Sequence, residues 1–261
     1  MSRIIEFMGL PGAGKSTLAH VLLKELRKGG FPLLSSEEAV IRCIRRRDDG
    51  ILKNLMKRLP FAVWEPVAGT RTSLDELHGF ASMHADFFGL WFEVLNRGPV
   101  PETWRQCILY ALFKRCVERQ LWDAHLNSDE SVLVEEGFML GVITMLGCLP
   151  PGSPCEKDVD RYVRHMPVPF AVFRIETDPN ECARRLRQRP EMPLLWAECT
   201  EPELIEQLEY GIHCLDMAAI KLARRGVPIF QVSNPEGGAL VAQEQIRTEG
   251  KLLARKITES R

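Results

Sequence analysis

Residues 9–17 read GLPGAGKST, and Gly9, Gly14, Lys15 and Ser16 satisfy the spacing G-x-x-x-x-G-K-[ST]. Those residue types at that spacing make a cradle for a phosphate chain. Glycines let backbone N–H groups turn toward one anion, and a helix beginning after Gly14 adds its partial positive charge. A lysine at a helix start opposes the helix dipole, so it needs an anion to offset that cost. Its ammonium can reach the outer phosphates of a nucleoside triphosphate, and the Ser16 hydroxyl can ligate Mg²⁺. Gly9, Pro11, Gly12, Ala13, Gly14, Lys15, Ser16 and Thr17 are the expected nucleotide-binding residues.

Phosphate chemistry also asks for an acid and for mobile cations. SVLVEEG, residues 131–137, reads as a strand ending in Glu135 and Glu136. Extended backbone sends neighbouring side chains to opposite sides, so one of the two faces the phosphates. Both are catalytic candidates, and Glu135 with Ser16 is the expected metal set. ARRLRQR carries Arg184, Arg185, Arg187 and Arg189. Arg185 and Arg189 are four apart, a spacing that puts them on one helix face, where guanidinium forks can stabilise transferring phosphate. The segment RPEMPLLWAECTEPE, 189–203, reads as a loop able to close over the phosphates, with Trp196 as a latch or a core residue. After the second strand, Glu38 and Arg42 are acceptor-side candidates, while Arg45, Arg46 and Arg47 read as a solvated helix end.

These groups need a frame. IIEFM (4–8), FPLL (31–34), SVLV (131–134), PFAVFRIE (169–176) and VPIFQVS (227–233) are short apolar runs that predict buried strands. Between them lie helical patterns, beginning with Leu18, Val21, Leu22 and Leu26 after the glycine loop. Aromatic stripes run from Phe80 to Leu95 and from Trp104 to Trp122; helical spacing makes them core faces first. Alternating strand and helix predicts an α/β fold with a parallel sheet covered on both faces. Pro60, Pro66 and Gly69 interrupt the pattern, and residues 40–130 exceed what one crossover helix needs, so they predict a helical insert lobe.

Composition narrows the class. Over 261 residues the formal charge is −1, which offers no net attraction to nucleic acid or anionic membrane. Eight cysteines occur without a C-x-x-C pair, which argues against a zinc site and fits a reducing cytoplasm. No apolar stretch is long enough to span a bilayer. The six histidines are scattered and suggest no nucleophile pairing. Long apolar helices are compatible with a homodimer.

Taken together, GLPGAGKST, the helix–strand run LYALFKRCVERQLWDAHLNSDESVLVEEGF, ETDPNECARRLRQRP and VPIFQVSNPEGG resemble the P-loop nucleoside monophosphate kinases, thymidylate kinase-like members most. The resemblance implies one P-loop NTPase domain over 1–261, with three layers and a five-stranded parallel sheet in the order 2-3-1-4-5. It implies the 40–130 insert on the acceptor side, a lid at 185–203, ATP as donor and Mg²⁺ as cofactor. Arg185 and Arg189 take the lid-arginine positions, Arg115 falls near an acceptor-contacting arginine, and Asn234 lies by the adenine. Thymidylate kinases carry an Asp-Arg pair where this chain has Glu135-Glu136-Gly137, and an adenylate kinase-like alignment puts Glu136 in register. The expectation is a Mg²⁺- and ATP-dependent kinase for a small acceptor, a nucleotide or nucleoside among the candidates, with a nucleotide hydrolase or ATP-binding regulatory module as the alternative.

Overall fold

A computed structural model describes residues 3–46, 74–98, 100–147, 155–190, 192–193 and 196–259. Arg47, Pro60, Pro66 and Gly69 lie outside the described residues, as do positions 191, 194 and 195 of the expected lid. Five strands form: β1 (Arg3–Met8), β2 (Leu33–Ser35), β3 (Ser131–Val134), β4 (Ala171–Glu176) and β5 (Ile229–Ser233). All pairings are parallel, and the order is β2-β3-β1-β4-β5, as expected. β2 begins later than FPLL suggested. Pro32 has no N–H to give a ladder; it contributes only its carbonyl, which accepts from Ser131 N.

The helices are α1 (Lys15–Lys28), α2 (Ser36–Arg46), α3 (74–83), α4 (Ala85–Arg97), α5 (Glu102–His125) and α6 (Phe138–Gly147). They continue with α7 (Cys155–His165), α8 (Pro179–Arg187), α9 (Glu201–Arg224) and α10 (Ala239–Glu259). Among the described residues no helix is long and apolar enough to cross a membrane.

Strand alternation divides the core. Ile4, Val132 and Val134 join Leu34, Ala39, Cys43, Leu121 and Trp122, so α2 and α5 cover one face at the β2–β3 side. Ile5, Phe7 and Leu133 face the larger cluster, in which α1 packs on α10 and α9 packs on α6, α7 and α8. Two elements depart from the sequence expectation. The aromatic stripe expected as one helix breaks at His84, whose N–H donates to Phe80 O while its carbonyl accepts from Phe87 and Phe88 N. Helix α7 was not anticipated. CEKDVDRYVRH is mostly polar; its buried apolar residues Val159, Tyr162 and Val163 sit at helical spacing, and the carboxylate of Asp158 is buried beside them.

Candidate functional site

The loop after β1 is held from behind. Gly12 and Gly14 both sit at positive φ, 86° and 89°. At Gly14 a side chain has no room either, since a Cβ would come 2.5 Å from Asn234 Nδ2. The buried Asn234 donates from Nδ2 to Ala13 O at 2.8 Å, and Thr177 Oγ1 donates to the same carbonyl at 3.2 Å. In a trans peptide the Gly14 N–H points opposite to that anchored carbonyl. Arg185 Nη1 donates to Gly12 O at 3.3 Å. Helix α1 then starts with no side-chain cap and no acid in its first turn. Its uncapped N–H groups are a ready anion site.

Lys15 is buried, at 7% exposure, and its Nζ donates to Gly9 O at 3.0 Å and Leu10 O at 2.9 Å. Burial pulls its pKa down to about 8, against the opposing pull of the Glu136 carboxylate. A buried ammonium supported mainly by carbonyls gains from a phosphate anion.

A cavity of about 360 Å³ opens in front of this loop. Pro11, Gly12, Gly14, Lys15, Ser16 and Thr17 line it, together with Glu136 and Arg189. Of the two acids at the end of β3, the structure brings Glu136 into this cavity; Glu135 is half-buried and does not line it. β3 stops at Val134, so strand alternation no longer governs the pair. Ser16 is exposed at the α1 N-terminus. An uncapped helix end, a hydroxyl and a carboxylate are hard oxygen-and-amide donors suited to a Mg²⁺–phosphate group.

The expected arginine pair is separated. Helix α8 ends at Arg187, so Arg189 lies beyond it and shares no helix face with Arg185. Pro190 follows, and the residue before a proline is disfavoured in helix. Arg189 is exposed and lines the cavity. Arg185 instead binds Glu181 at 2.6 Å and the loop carbonyls of Gly12 and Pro235. It braces the loop's outer side. Asn234, expected beside a base, has its side chain on the loop carbonyl.

Two acceptor-side candidates are committed elsewhere. Glu38 accepts from Ser35 N at 2.9 Å and pairs with Arg27, which fastens the start of α2. Arg42 joins Arg46 on the buried carboxylate of Glu130. Burial pushes Glu130 up, but the Arg46, Asn127 N–H and Arg42 hydrogen bonds outweigh it and hold its pKa near 2. Neither Glu38 nor Arg42 lines the cavity, because the polar face of α2 is spent on its own capping and on the turn before β3. Arg115 is nearer: it pairs with Glu118 at 2.9 Å and its Nη2 is 3.9 Å from Glu136 Oε2.

One acid escaped the sequence reasoning. Glu6 lies inside the apolar run of β1 and is 1% exposed. Burial raises its pKa, while hydrogen bonds from Met139 and Phe138 N–H groups and the charges of Arg119 and Arg115 partly oppose this. Oε2 accepts from Met139 N at 2.9 Å, so Glu6 caps α6 from another strand. At Gly137 a Cβ would come within 2.4 Å of Glu6. Glu6 thus holds the backbone next to Glu136. The polar interruption of IIEFM was its only sequence signal. Thr177, at the exit of β4, was missed for lack of any local pattern.

A larger cavity, about 530 Å³, lies at the exits of β4 and β5 and includes Arg174, Glu176, Asp216 and Glu236. It lacks Lys15, Ser16 and Glu136, and its Arg174 is already paired with Asp216 and Glu176. The smaller cavity is the one bordered by Lys15, Ser16 and Glu136.

No protein-family model and no curated protein matches this sequence. Solved structures with similar shape include thymidylate kinase from Ehrlichia chaffeensis, 14% identical with a TM-score of 0.43, covering 97% of this chain and 98% of that one. Shikimate kinase from Bacteroides thetaiotaomicron is 15% identical with a TM-score of 0.40, again covering 97% of this chain and 98% of that one. Likenesses this distant add no functional weight to the strand order and the loop geometry.

Proposed function

We propose that this chain is a Mg²⁺- and ATP-dependent phosphotransferase acting on a small-molecule hydroxyl. The observation that supports it is one cavity in which the α1 N-terminus, Lys15, Ser16, Glu136 and Arg189 converge. Loop N–H groups bind the phosphate chain, and Lys15 exchanges the Gly9 and Leu10 carbonyls for phosphate oxygens. The Ser16 hydroxyl would hold Mg²⁺, which supplies charge neutralisation on the phosphate oxygens when bound. Arg189 stabilises charge spreading over the transferred group. Glu136 receives the acceptor proton, being the carboxylate that lines the cavity. Pro193 and Trp196 cover the site and exclude water, which favours transfer over hydrolysis. The test is Mg-ATP binding and acceptor-dependent ADP release in the wild type and in Lys15→Ala. Loss of both in a folded variant supports the reading; unchanged turnover overturns it.

A further inference from the structure

The rest of the cavity wall bears on what is phosphorylated, an inference that rests on the phosphotransfer reading. Trp104 and Ile108 from α5, Leu140 and Ile143 from α6, and Pro193 and Trp196 line it. The cations among the described lining residues are Lys15 and Arg189, both assigned to the donor's phosphates by the phosphotransfer reading. Arg115 is tied to Glu118 and stands 3.9 Å from Glu136, and Arg185 is tied to Glu181 and the Gly12 carbonyl. An acceptor bearing its own phosphate would set that charge against the Glu136 carboxylate with no further lining cation among the described residues to meet it.

We propose that the acceptor is an uncharged alcohol with a small apolar body, seated on the Trp104–Ile143 wall with its hydroxyl toward Glu136. A lone pair of the hydroxyl oxygen forms the new O–P bond to the γ-phosphorus. The bond from that phosphorus to the bridging oxygen breaks, its electron pair leaving on ADP. The hydroxyl proton passes to the Glu136 carboxylate and from there to water. The products are a phosphate monoester and ADP. About 360 Å³, shared with the terminal phosphate, suits a body of one ring.

Cys107, an exposed thiol lining the same cavity, reports occupancy. The full chain with saturating Mg-ATP is offered 2-phenylethanol and cyclohexylmethanol, and separately 2-phenylethyl phosphate and thymidine monophosphate. Iodoacetamide labelling of Cys107 is followed by peptide mass spectrometry, and products are identified by mass. The expected result is a monoester product and at least ~5-fold slower Cys107 labelling with an uncharged alcohol, and neither with the phosphorylated probes. Transfer confined to the phosphorylated probes overturns the inference, as does no product and no protection with any uncharged probe while Mg-ATP binds. Absence of Mg-ATP binding sinks the phosphotransfer reading itself, which separates the two failures. Trp104→Ala should raise KM for the productive alcohol ~10-fold and leave the Kd for Mg-ATP unmoved. Equal loss of both would mean that Trp104 only supports the fold, and would overturn its role in acceptor binding.

Discussion

On the wall proposed for the donor, the loop Gly9 to Thr17 presents mainly backbone and one lysine, while Thr177, Arg185 and Asn234 lock the loop's carbonyls from outside. The wall proposed for the acceptor is drawn from α5, α6, Pro193 and Trp196, and apolar side chains do most of its lining. Backbone recognition of phosphate demands glycines at fixed spacing, since only particular φ values aim N–H groups at one point. Apolar recognition demands only shape, which many side chains supply from many places. One wall therefore carries a signature, and the other resembles ordinary core.

The largest test of that contrast is Lys15→Ala. It should lower phosphate transfer by at least ~100-fold, read by ADP release, with a melting temperature within a few degrees of wild type. Asn234→Ala comes next. It removes one of two donors on the buried Ala13 carbonyl, which costs about 1–2 kcal/mol and should weaken Mg-ATP binding ~10-fold in calorimetry. Acceptor KM should hold steady, the mirror image of Trp104→Ala; if both variants moved both constants, the walls would not be separable.

The pH dependence is a subtler probe of the donor wall. Lys15 titrates near pH 8 in the free protein, and a bound phosphate raises that value. Below pH 8 the lysine is charged free and bound, so Mg-ATP affinity should be level. Above it, binding must take up a proton, and affinity should fall by up to ~10-fold per pH unit. An affinity level to pH 10 would mean that Lys15 does not meet the phosphates. Smallest is Glu6→Gln. Because burial raises the Glu6 pKa, wild-type stability from this group is full at acid pH and declines as pH rises toward the folded value. The amide retains an acceptor for Met139 N–H, so the variant's melting temperature should fall less between pH 5 and pH 8 than the wild type's. A steeper fall would refute that account.

Legibility followed the physics of each element. The five strands were anticipated, because buried parallel strands are short continuous apolar runs and the loop motif requires a strand before it, while the order in which they pair was an expectation from the family resemblance alone. Helix α7 was not, since its buried apolar residues Val159, Tyr162 and Val163 sit among charged ones and give a weak stripe. Arg185 and Arg189 looked equivalent by spacing, yet the end of α8 at Arg187 sends one to the loop's back and the other to the cavity. Glu38 and Arg42 stood at a plausible place in the chain, but their partners Arg27 and Glu130 were invisible before folding.

By itself the sequence determined the glycine-rich loop between a strand and a helix, the alternation of strand and helix, and the presence of acids after β3, because each depends on neighbours within one turn or one strand. Tertiary structure alone decided that Glu136 rather than Glu135 faces the cradle. It alone decided that Glu6 caps α6 across the sheet and that Asn234 fastens Ala13. Those outcomes depend on contacts between residues more than a hundred positions apart, whose geometry is set when the sheet assembles.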